Sequence, residues 1–236
     1  TWEVILRIAG QVETLQQQFP QAAFTLLSGG YVIAQVPANE LEALASQDQV
    51  IYIEQPKRMV TGVAQGVRAS CIWPLQQEIT PVGHLSGRGV FVAVIDSGID
   101  YFHPDFRNED GTTRIAWLWA DGKEYSETQI NAALEQTDMK KALEIVPVTD
   151  ISGHGTHVAG IAAGNGRASS GRNRGVAYES RLLVVQIKSR RADAAPLTTQ
   201  LMEAVEYVTK KAMDEKTPVA INISYGNNYG SHEPYN

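Results

Sequence analysis

Two histidines, His154 and His157, stand three positions apart in the run Ser-Gly-His-Gly-Thr-His-Val-Ala-Gly. The small residues followed by "VAGIAAG" read as the opening turn of a helix. An imidazole there could be a metal ligand, a general base or an ordinary packed side chain. The i, i+3 spacing could put two ligands on one helix face. No glutamate lies between the histidines as in a zincin, however, and no third ligand is marked, so a metal pair is disfavoured. A general base needs a partner that orients it. Asp96 supplies a carboxylate at the end of the apolar run "VFVAVI", followed by the turn residues Ser97 and Gly98. An acid at a strand end and a histidine at a helix start can meet beyond the carboxyl edge of a parallel sheet, where such sheets gather their functional groups. Asp96 would hold one ring nitrogen and leave the other for proton transfer. Gly153 and Gly155 keep the ring approachable, and the helix N-terminus disfavours its protonated form.

The elements that must position this pair can be read from the chain. Val90 to Ile95 is a continuous apolar run of the kind found in strands buried on both faces. "RLLVVQI" (181–187) and "VAINIS" (219–224) are two more. Between them, 198–213 has the period of a helix, with Leu201, Val205, Val208 and Ala212 as its buried stripe. That makes a βαβ unit and an α/β fold with a parallel sheet. "SETQINAALEQ" reads as another helix, capped by Ser126 with Gln129. The first 55 residues differ in character. "WEVILRI", "VETLQQQF", "AFTLLSGGYVIAQV", "NELEALASQ" and "VIYIE" give β-α-β-β-α-β, a small α+β ferredoxin-like domain. Ser28-Gly29-Gly30 forms its hairpin turn, and Asn39 with Glu42 forms a capping box. Residues 56–85 read as a linker.

Bulk properties narrow the function classes. The 236 residues carry net charge −6, with 43% hydrophobic and 19% charged residues, as in a soluble globular protein. An acidic balance argues against nucleic acid as a partner. The basic cluster of Arg167, Arg172, Arg174, Arg181, Lys188, Arg190 and Arg191 reads as a solvated face. No apolar run has the length of a membrane span, and no signal peptide is visible. Cys71 is the single cysteine, which excludes an intrachain disulfide and a multi-cysteine metal site.

"VAVIDSGIDYFHPDF" followed by "GHGTHVAGIAAG" closely resembles the Asp and His signatures of the subtilisin-like serine proteases, the subtilases. "RGVAYESRLLVVQIK" resembles the segment after their catalytic helix. "VAINISYG" resembles the strand ending in Ser-Leu-Gly that lines their substrate cleft. The resemblance runs from about Gly87 to Gly230. It implies a subtilisin-like parallel sheet with helices on both faces, incomplete in this chain. It implies Asp96 and His154 as catalytic residues, and Ser224, Tyr225 and Gly226 as substrate-binding residues. Tyr225 replaces the usual Leu and would narrow the near pocket. "VIYIEQPKRM" resembles the end of a subtilase propeptide, so residues 1–65 are expected to be a propeptide that assists folding and inhibits. Residues 66–236 are then the N-terminal part of the catalytic domain, and self-cleavage is expected between Met59 and Ser70.

"YIEQPKRM", "RASCI", "DFRNEDGTTRI" and "INISYGNNYGSHEP" resemble the Csp group of clostridial germination proteases. In that group the propeptide can stay bound after cleavage, and active members process the precursor of a spore cortex-lytic enzyme. An extracellular or spore-associated location would follow. Expected partners are a protein or peptide substrate, the bound propeptide, and a C-terminal fragment of the same protease. The last is expected because no serine here stands in the family's Gly-Thr-Ser setting. Ser97 and Ser224 match positions that do not carry the nucleophile. No cofactor is expected. Asp100 matches an Asp that binds calcium in many subtilases, but the loop "GNGRASSGRNRG", where its co-ligands would lie, has no acidic residue, so no metal site is expected. Asn222-Ile223-Ser224 formally matches a glycosylation acceptor in a strand expected to be buried. The other reading of the resemblance is a pseudoprotease that binds and regulates but cuts nothing.

Overall fold

In a computed structural model the described residues are 1–57, 60–61, 76, 84–188 and 196–226. The chain divides into two units. The first comprises Thr1–Val60, Ser189–Glu206 and Asn227–Asn236, and the second Thr61–Lys188 and Tyr207–Gly226.

The first unit holds β1 (Trp2–Ile8), α1 (Val12–Gln18), β2 (Ala23–Leu26), β3 (Tyr31–Val36), α2 (Leu41–Ala45) and β4 (Val50–Glu54). The sheet order is β2-β3-β1-β4, with every pairing antiparallel. This is the split arrangement expected from the pattern. Alternation decides the faces. Val4, Leu6 and Ile8 point to the core with Val32, Ala34 and Val36, against Val12, Leu15 and Leu44. Ile5 and Ile33 pair across the strands and are also buried. The residues before Glu206 belong to this unit. Lys57 N donates to Thr198 Oγ1 and Thr198 N to Lys57 O, both at 2.8 Å. Thr199 Oγ1 donates to Glu3, and Ser28 donates from its backbone and its hydroxyl to Glu206.

One capping expectation fails here. The second helix is only Leu41–Ala45, its N-cap is Glu40, and no side chain caps it. Glu40 N donates to Pro37 O, so residues 37–40 form a turn. Asn39 sits inside that turn and cannot serve as the cap.

The second unit is built on β6 (Phe91–Asp96), β7 (Ile115–Ala120), β8 (Lys123–Ser126), β9 (Arg181–Gln186) and β10 (Val219–Ile223), in the order β10-β6-β9-β7-β8. The first four in that order run parallel, and β8 closes the edge as an antiparallel hairpin with β7. The hairpin turns at Asp121-Gly122, both with positive φ. Asp-Gly between alternating apolar residues is a strong hairpin signal that the sequence reading passed over. The helices are α3 (Glu127–Leu134), α4 (Met139–Ile145), α5 (His154–Ala163) and α6 (Thr198–Asp214), which begins in the first unit. The Ser126–Gln129 capping box of α3 is formed as expected. On α6 the deeply buried apolar residues are Ala204, Val208 and Ala212; Leu201 and Val205, expected to join them, are half-buried. Every residue of β6 is buried, and the core beneath it joins Val92, Val94, Ile99, Phe106, Leu118 and Ala159. Thr61, the first residue of the second unit, belongs to β5 (Val60–Thr61), which pairs with β11 (Tyr225–Gly226). Most of the 56–85 linker and of the expected self-cleavage region lies outside the described residues, as do Arg190, Arg191 and 227–236.

Candidate active site

Strand β6 delivers Asp96 to the carboxyl edge of the sheet, opposite Gln186 at the end of β9. Its side chain is 1% exposed. Ser97 N folds back to donate to Asp96 Oδ1 at 2.7 Å. His154 is the first residue of α5, reached through Gly153, whose φ of 72° is left-handed and suits glycine. The ring meets the acid: His154 Nδ1 lies 2.7 Å from Asp96 Oδ1. An ionised carboxylate only accepts, so this contact directs the Nδ1 proton to Asp96 and makes Nε2 the basic nitrogen of the ring. The two residues that sequence reasoning paired are therefore in contact.

The approach of α5 to β6 depends on Gly155. A Cβ on Gly155 would stand 2.2 Å from Gly98 O and 3.1 Å from Asp96 Cβ, so a methyl group cannot fit without moving backbone. Gly155→Ala should cost about 2 kcal/mol of stability through overpacking. It should also move His154 away from Asp96. Urea unfolding measures the loss, and a variant as stable as the parent would contradict the close approach.

A second carboxylate, missed by the sequence reading, lies beside the pair. Asp150 accepts hydrogen bonds from Ser97 Oγ, Ser152 Oγ, Gly153 N, Thr156 N and Thr156 Oγ1. Burial alone would raise its carboxyl, but the Thr156, Ser97 and Ser152 hydrogen bonds outweigh it and hold the group below the usual carboxylate range. Gln186 was also missed. Its buried amide donates to Ser97 O and Thr149 O, joining the loop after β6 to the loop before α5.

His154 also lines an open groove of about 350 Å³ between α5 and β10, with His157, Val158, Ile161, Ala220 and Ser224 among its walls. Ser224, expected on sequence to line the substrate channel, thus shares a groove with His154, and its Oγ accepts from Asn222 Nδ2 at 2.9 Å. Tyr225 is half-buried, and its hydroxyl donates to Ile187 O at 3.2 Å. Burial, then the nearby charges of Asp96 and Asp150, push its phenol well above the usual tyrosine range. Gly226 is exposed. β10 is the edge of the described sheet, Asn222 is half-buried, and Ile223 is 40% exposed.

Within the basic cluster Arg167, Arg172, Arg174 and Arg181 are all exposed, as expected of a solvated face. Arg167 donates to Asn108 O and Glu109 O, Arg174 stacks over Tyr178, and Arg181 pairs with Glu127. Asp100 is used locally, its Oδ1 accepting from Phe102 N. No described helix is long and apolar enough to cross a membrane.

Comparison with known proteins gives two family matches. Residues 87–235 match the subtilase family, and residues 1–57 match the Csp protease B prodomain. The structure of the Clostridium perfringens CspB protease is similar at 40% identity and a TM-score of 0.62, over 70% of this chain and 34% of that one. Fervidolysin from Fervidobacterium pennivorans, at 17% identity and a TM-score of 0.58, shares the fold over 98% of this chain and 36% of its own. The serine protease AprX of Bacillus subtilis is 32% identical over 123 residues, which are 52% of this chain and 22% of AprX. The chain therefore spans only a minor part of the length of these relatives.

Proposed function

The chain belongs to the subtilase family, and we propose that it carries the acid–base half of a serine endopeptidase together with its propeptide. The observation that supports this most is the 2.7 Å contact between His154 Nδ1 and Asp96 Oδ1, made by a carboxylate that is 1% exposed. His154 Nε2 takes the proton of a serine hydroxyl as that oxygen attacks the peptide carbonyl. It then returns the proton to the leaving amine, while Asp96 holds the tautomer and steadies the imidazolium. The serine comes from a part of the protein outside these 236 residues. A peptide substrate pairs as an added strand along Ser224–Gly226. Residues 1–65 act as folding template and inhibitor, and the protein cleaves itself between Met59 and Ser70. The Csp resemblance makes the precursor of a spore cortex-lytic enzyme the proposed substrate, cut during germination.

Fluorophosphonate labelling of the full-length protein, followed by mass spectrometry of every fragment, tests the reading. The expected result is one adduct on a serine outside this chain, absent from a His154→Ala variant. No adduct after displacement of the propeptide would identify a pseudoprotease instead.

A further inference from the structure

We propose that Asp150 is a positioning residue that locks His154 against Asp96. The inference rests on the acid–base role just assigned to that pair. Asp96 and His154 sit on different elements, so their contact depends on how firmly the loop after β6 is fixed to the first turn of α5. One carboxylate ties the two sides to a common point. Asp150 Oδ1 accepts from Ser97 Oγ at 2.8 Å, and Ser97 is the residue next to Asp96. Its Oδ2 accepts from Thr156 N at 2.8 Å and Thr156 Oγ1 at 2.7 Å, two residues beyond His154. The two partners extend the connection in both directions. Ser97 Oγ accepts from Gly155 N at 3.0 Å, and Thr156 Oγ1 accepts from Asp100 N at 2.9 Å. His154 is thus bracketed on both sides by bonds that converge on Asp150. Ile151, the next residue, is 94% exposed, so the loop turns its apolar side chain outward while Asp150 reaches inward. Charge-assisted bonds of this kind are roughly twice as strong as neutral ones, and the negative charge suits a helix N-terminus.

The role separates from simple stabilisation by spectroscopy. In full-length protein labelled with ring-15N histidine, the proton shared by His154 Nδ1 and Asp96 gives a strongly downfield signal, assigned by its loss in His154→Ala. Asp150→Ala should broaden or abolish that signal. It should also lower kcat about 100-fold, as expected for a misplacement near 1 Å, while KM moves less than about threefold. Asn131→Ala serves as the control. It removes the acceptor of the Thr113 N bond at 2.7 Å, remote from the pair, and should lower Tm while leaving the signal in place. If Asp150→Ala does not fold, Ser97→Ala replaces it, with the same loss of signal and about a tenfold fall in kcat. An Asp150→Ala or Ser97→Ala protein that keeps both the signal and kcat within about twofold overturns the proposal. If the parent protein cuts nothing, the endopeptidase reading fails, whereas the signal still decides whether Asp150 positions the ring.

Discussion

Replacing His154 by Ala in the full-length protein should lower kcat for peptide hydrolysis by about 10⁴-fold or more, because His154 is the proposed acceptor of the attacking hydroxyl's proton. The same substitution removes the ring from a carboxylate that is 1% exposed, leaving Ser97 N as its remaining described donor. A buried charge stripped of its partner is costly, so the variant should also be less stable. Asp96→Asn divides these effects. The amide keeps the shape of the site but no longer requires the Nδ1 proton, so the ring can adopt the wrong tautomer. A loss of about 10⁴-fold in kcat is expected there with little change in KM. Steady-state kinetics and the rate of fluorophosphonate labelling measure both variants. A His154→Ala protein within tenfold of the parent would exclude this pair as the acid–base machinery.

Replacing Arg114 by Ala should destabilise the fold by about 4 kcal/mol, among the largest effects of any single substitution. Arg114 is 7% exposed, and its guanidinium reaches three backbone carbonyls. Nη1 donates to Asp105 O at 2.9 Å and Ala163 O at 2.7 Å, and Nη2 donates to Ser180 O at 2.7 Å. Burial pushes the guanidinium down to about 10, against the opposing charges of Asp105 and Glu179. Ala163 ends α5, so the cation also sits at the negative end of the helix that carries His154 at its start. Truncation strands the buried Ala163 and Ser180 carbonyls, while Asp105 O keeps a bond from Asn165 N at 3.1 Å. Arg114→Met, which restores volume but no donors, should recover little of the loss. Urea unfolding monitored by circular dichroism gives the value for each variant. A loss below about 1 kcal/mol for Arg114→Ala would mean that the Ala163 and Ser180 carbonyls find other donors.

Much of this could be read from residue order. Continuous apolar runs marked β6, β9 and β10, and period-2 alternation marked the strands of the first unit. Turn and cap residues set most boundaries. The two capping boxes show where such reading stops. Ser126 is extended (φ −79°, ψ 162°), as a cap must be, and its box with Gln129 forms. Asn39 and Glu42 carry the same local pattern, but the chain turns at Pro37–Glu40 and the box is lost. The Asp121-Gly122 hairpin was present in the sequence as a plain turn signal. Arg114 and Asp150 carried no such mark. An arginine before a strand and an aspartate in a polar loop are ordinary by themselves, and only their distant partners distinguish them.

Residue types and near-neighbour patterns set the chemistry on offer: an acid at a strand end, an imidazole at a helix start, and the local elements that carry them. Those depend on side-chain type and on contacts between near neighbours. The tertiary structure alone decided that Asp96 and His154, 58 residues apart, meet at 2.7 Å. It alone decided that Asp150 reaches Ser97 across 53 residues, and that Arg114 reaches Ala163 across 49 and Ser180 across 66. Contacts at such separations form only when the sheet stacks its strands in register and the helices close over it, because packing and burial, unlike turns and caps, are properties of the whole chain.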